Sequence, residues 1–115
     1  MDTNAIAAGV YHSCALLDNA SVKCWGLNYY GQLGIDNTTD MGNTSGSMAQ
    51  LTGINLGTGR TATAIAAGNN HNCALLDNAS VKCWGNNNFG QLGIDNNTRM
   101  GDNSSEMAAL PSFDL

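Results

Sequence analysis

The chain has 115 residues, with four basic side chains (Lys23, Arg60, Lys82, Arg99) against nine acidic ones and a net charge of −5 at pH 7. That length makes one small domain the prior. An acidic chain with scattered cations repels phosphate backbones and anionic bilayers, so nucleic acid and membrane are set aside as partners. No apolar run approaches the roughly 20 residues of a membrane helix, and the start, MDTNAIAAG, carries neither region of a signal peptide.

Fourteen Gly, sixteen Asn and a single Pro suit short strands joined by tight turns. In chain order, AIAAG (5–9) reads as a strand ending at Gly9. HSCALL (12–17) reads as a second, followed by the turn DNAS. SVKCW (21–25) reads as a third, stopped by Gly26. Two short apolar runs around an Asx-containing turn predict a hairpin. YYGQLGID is punctuated by Gly31 and Gly34. A polar loop, NTTDMGNTSGSM, follows, and AQLTGINL (49–56) closes the unit as a weaker strand. After GTGRTATA the order repeats, and SEMAAL (105–110) predicts one helical turn.

The repetition is literal. CALLDNASVKCWG occurs at 14–26 and again at 73–85, and a shift of 59 residues makes 34 of 51 positions identical between 6–56 and 65–115. The chain is expected to divide into two units, 1–59 and 60–115. Four short strands per unit is the size of a propeller blade.

The string IAAGxxHxCALLDNxSVKCWGxNxxGQLG resembles the regulator of chromosome condensation repeat. Its features are Gly9, His12, Trp25, Gly26, Gly31 and Gly34, recurring as Gly68, His71, Trp84, Gly85, Gly90 and Gly93. The resemblance covers nearly the whole chain, and the cysteine-containing form is similar to bacterial, often exported, members. It implies an all-β fold of two four-stranded propeller blades, in a family whose propellers have seven, and a structural hydrogen-bonding role for the histidine within its blade. Two blades cover one interface and leave two apolar faces open, which at about 25 cal/mol per Å² is a large loss for a small chain. The expectation is therefore completion by self-association: a ring of three or four chains, or a filament. The alternative is a segment of a full propeller that binds a protein partner through its rim loops.

Cys14 and Cys24 flank the hairpin turn, as do Cys73 and Cys83. Opposed across antiparallel strands they lie within disulfide reach. Two disulfides are expected, with reduced, buried thiols as the other state. A disulfide implies an oxidising compartment, extracellular or periplasmic. A two-residue turn at Asn19–Ala20 would set Cys14 against Trp25, so the pairing needs a bulge or a longer turn.

Catalysis finds little footing. Both histidines occupy matched repeat positions, and the carboxylates noted (Asp18, Asp36, Asp77, Asp95) sit in turns. No short cysteine pair marks a zinc site, and DNTTD and DNNTRMGD match no calcium loop. The expectation is no enzyme, no metal and no cofactor. The copies differ most where Tyr11, Tyr29 and Tyr30 in the first become Asn70, Asn88 and Phe89 in the second. These are the candidate rim-binding residues, for another protein or, through the amides, a glycan.

Overall fold

A computed structural model describes residues 2–114; Leu115, aligned with Leu56 above, lies outside them. Six strands form two sheets: β1 (Thr3–Ala8), β2 (His12–Leu17) and β3 (Val22–Gly26), then β4 (Ala62–Ala67), β5 (His71–Leu76) and β6 (Val81–Gly85). Each sheet is an antiparallel meander in sequence order. One turn of 3-10 helix covers Met48–Gln50, and α1 covers Glu106–Ala109, inside the predicted helical turn.

The hairpin turn has three residues, Asp18–Ala20, closed by Leu17 N donating to Ser21 O (2.9 Å). Ala20 takes φ 66°, in the left-handed region. A turn of this length ending in a left-handed residue adds the bulge that shifts the register by one. Cys14 therefore faces Cys24, not Trp25. Leu17 and Ser21 form a hydrogen-bonded pair, so alternation makes Cys14 and Cys24 a non-hydrogen-bonded, closely spaced pair. Both disulfides are closed, Cys14–Cys24 and Cys73–Cys83, with Cα atoms 4.1 and 4.0 Å apart.

The expectation of four-stranded blades is corrected to three-stranded sheets. The closing segments touch β3 and β6 at one point each. Phe113 bridges Val81 through two hydrogen bonds of 2.9 Å, and Ile54 N donates to Val22 O (2.8 Å). Leu51, Ile54 and Leu56 are buried at spacings of three and two, which breaks the alternation a ladder requires. Pro111 has no N–H to offer in the second copy.

The sheets stack face to face. Cys14, Leu16, Val22 and Cys24 share one face of the first sheet by register. They form one core with Ala74, Leu76 and Trp84 of the second, and Leu33, Ile54, Leu56 and Met107 fill its edges.

Candidate functional site

The predicted rim residues gather at one end of the sheets. The β1–β2 turn holds Val10 and Tyr11; the β4–β5 turn holds Asn69 and Asn70. Val10 N donates to Asn69 O (3.1 Å), joining the two turns. The segments after β3 and β6 fold back onto the same turns, Leu27 N to Tyr11 O (2.8 Å) and Asn86 N to Asn70 O (2.9 Å). Val10, Tyr11, Tyr29, Asn88 and Phe89 are exposed, Phe89 at 92%. Tyr29 and Tyr30 meet edge to face at 4.9 Å.

One residue here escaped the sequence reading. Arg99, from the second copy, lies 5.6 Å from each tyrosine ring centre. Its Nη1 donates to Tyr29 O (3.2 Å), and its Nε pairs with Asp102 at 3.7 Å. The signal was available: the aligned residue in the first copy is Asp40, a reversal of charge.

The polar loops behind the rim wrap around buried amides. Asn28 Nδ2 donates to the carbonyls of Asn37 (2.8 Å) and Thr39 (3.0 Å), while its Oδ1 accepts from Leu33 N (3.0 Å). Asn87 does the same with Asn96, Thr98 and Leu92. Both amides are fully buried, so a side-chain NH2 fills the position where an oxygen-lined loop would hold a cation. Among the described residues no group of three His, Cys, Asp or Glu side chains could hold a metal ion.

The junction between the sheets carries a polar relay. His12 Nε2 lies 2.8 Å from Asn72 Oδ1. Asn72 Nδ2 donates to Gln32 O, which also accepts from Trp84 Nε1 (3.1 Å). The histidine thus bonds across to the other sheet, where a role within its own blade was expected. Gly9 leaves room for it: a Cβ there would stand 2.1 Å from His12 Cε1 and 2.7 Å from Gly68 O. Gly34 (φ +67°) lies under the Trp84 indole, whose Nε1 would be 2.8 Å from a Cβ. Gly26, Gly31, Gly85, Gly90 and Gly93 likewise hold positive φ. Burial pushes the His12 pKa down, against the Asn72 hydrogen bond. Burial and the nearby His12 push His71 down, and burial alone lowers Lys82.

A carboxylate pair also went unread. Glu106 Oε1 accepts from the backbone N–H of Gly101, Asp102 and Asn103 at 2.9–3.0 Å. Asp102 is pushed up to about 6 by burial, by its hydrogen bond to Glu106 and by that neighbour's charge. Burial would raise Glu106, but the side-chain bond from Asp102 and the backbone donors hold it low. The first copy has Asn43 and Ser47 at these places, which is why the motif does not repeat.

Stacking leaves identical residues unequally covered. Leu16 is 6% exposed and its counterpart Leu75 41%; Val22 is fully buried and Val81 only partly. On the opposite faces Trp84 is fully buried and Trp25 partly, while Ile6 is 77% exposed and Ile65 packs against the core. The second sheet's free face holds a shallow apolar hollow of about 220 Å³ around Ala64, Ala66, Cys73, Leu75 and Val81.

Meandering three-stranded sheets stacked face to face, with one free face at each end, define a segment of a β-propeller. Residues 4–32 and 62–91 each match the Regulator of chromosome condensation (RCC1) repeat, and the chain belongs to that family. It is 38% identical over 95 residues to the probable E3 ubiquitin-protein ligase HERC4 of Homo sapiens, covering 82% of this chain and 8% of that protein. It is 32% identical over 93 residues to protein pim1 of Schizosaccharomyces pombe, covering 81% and 17%. Among solved structures, human WBSCR16 superposes with a TM-score of 0.69 at 23% identity, over 95% of this chain and 25% of that one. Yeast RCC1 (Prp20), bound to Kap60, superposes at 0.63 with 25% identity, over 85% and 23%. The chain thus spans 8% to 17% of these two curated relatives.

Proposed function

We propose that the chain acts as two consecutive blades of a larger propeller and serves as a non-enzymatic module that binds a protein through its rim. The unequal burial of matched residues carries this reading: one blade-on-blade contact is made, and each outer face keeps apolar surface that a further blade would cover. Support for a protein ligand comes from the exposed Val10, Tyr11, Tyr29 and Phe89. The relatives point the same way: yeast Prp20 is bound to Kap60 in one structure and has binding properties to Gsp1p and histones in another. Two closed disulfides are compatible with an oxidising compartment, and we place the protein outside the cytoplasm on that ground.

Peptide selection tests the rim. Ligands selected on the intact chain should lose binding to a Tyr29→Ser/Phe89→Ser variant, and equal binding to both would refute the assignment. Self-association is the second reading, favoured because the two open faces repeat the apolar residues, though not every polar one, of the two that meet inside the chain. Sedimentation velocity under non-reducing conditions separates them: a single 12.0 kDa chain fits the segment reading, and a closed ring of three or four chains the other.

A further inference from the structure

The internal contact between the sheets is a template for what each open face accepts. The free face of the second sheet repeats the first sheet's half of that contact: His71, Cys73, Leu75 and Val81 stand where His12, Cys14, Leu16 and Val22 do. At its rim Phe89 stands where Tyr30 does. The other half comes from the second copy, and two of its contributions have no equivalent in the first. Asn72 spans from His12 to Gln32 O, and its counterpart Ser13, with two fewer side-chain heavy atoms, is too short to do so. Arg99 reaches back over Tyr29 and Tyr30. Its counterpart Asp40 instead accepts from its own Asn28 N at 2.8 Å, and an anion gains nothing from the face of an aromatic ring.

Resting on the segment reading above, we propose that the open face of the second blade is specific for a further repeat of this family with the polar signature of the second copy. That repeat carries Asn at the position of Asn72 and Arg at the position of Arg99. The first copy of another molecule is the wrong neighbour. It would set Ser13 beside His71, leaving the buried imidazole without its partner, and Asp40 beside Phe89. Uncovered Phe89, with no cation over it among the described residues, is the residue that waits for this arginine.

The test gives the first copy the missing signature. In the full chain, Ser13→Asn/Asp40→Arg should associate head to tail at least about tenfold more tightly than the parent, the scale of one buried, satisfied hydrogen bond plus a cation over a ring. Ser13→Asn alone should fall between. Adding Leu75→Glu, on the open face, should abolish the gain. Sedimentation velocity over a concentration series reads the constants, and thermal melts check that each variant folds. A gain under about threefold, or one that survives Leu75→Glu, overturns the proposal. Closed rings formed by the parent itself would instead overturn the segment reading on which it rests.

Discussion

Replacing Asn72 by Ser, the residue the first copy carries at that place, tests the junction with the protein's own chemistry. His12 and Asn72 are both buried, and His12 Nδ1 has no hydrogen-bond partner among the described residues. The substitution therefore leaves the ring with neither nitrogen bonded, a cost of about 1–3 kcal/mol. Gln32 O keeps the Trp84 indole at 3.1 Å, so its loss is partial. The two missing heavy atoms leave a void worth roughly 0.5 kcal/mol. The sum is about 1.5–3.5 kcal/mol, or a fall in Tm of about 6–14 °C for a chain of this length. Circular dichroism melts and urea titrations under non-reducing conditions measure it. The reciprocal change, Ser13→Asn, lies on an open face and should move stability by no more than about 0.5 kcal/mol. Equal effects at the two positions, or a loss below about 0.5 kcal/mol for Asn72→Ser, would show that the His12–Asn72 bond does not hold the junction.

Removing either disulfide as a Cys→Ala pair should cost about 3 kcal/mol by chain entropy for a sequence separation of 10. The Cys14–Cys24 pair should cost more, because its residues lie in the junction core, and paired melts read the difference. Gly9→Ala drives a methyl into His12 and the Gly68 carbonyl, and should cost about 2–3 kcal/mol by the same melts, against about 1 kcal/mol for Gly46→Ala, which meets nothing within 4 Å. His12 has a folded pKa below 6.5, so the unfolded chain binds more protons just below that pH; its contribution is present above 6.5 and is lost as pH falls towards the lowered value. Asp102 has the opposite sign: its folded pKa of about 6 exceeds 3.8, so its ionisation costs stability as pH rises from 3.8 through 6. Asp102→Asn removes that cost and places a side-chain N–H beside the Glu106 carboxylate. Urea titrations should show it more stable than the parent at pH 7.5, with the gain shrinking as pH drops through 6.

Much of this was legible in the sequence because it is local. The runs CALL and SVKCW and the Asx turn between them specify the hairpin, and the 59-residue shift exposes the repeat. The turn length was not legible, because the left-handed residue that sets the cysteine register is Ala20, a residue type that seldom signals such a conformation. The closing segments read as strands by composition, yet their apolar side chains turn into the junction and the backbone pairs at a single point. Asn28 and Asn87 stand in the repeat string, but nothing there marks them as buried, because an amide in a polar stretch looks solvated; burial comes only when the loop closes around it. Arg99 and the Asp102–Glu106 pair belong to one copy, so a reading built on what repeats passes over them.

Two chemically matched sheets are covered unequally, one face of each against the other. Nuclear magnetic resonance of the methyl groups with a soluble nitroxide tests it inside a single molecule, since each residue has its own control in the other copy. Ile6 and Leu75 should be strongly attenuated, and Ile65 and Leu16 protected. Equal attenuation within each matched pair would contradict it, because the sheets would then be either unstacked or covered on both faces.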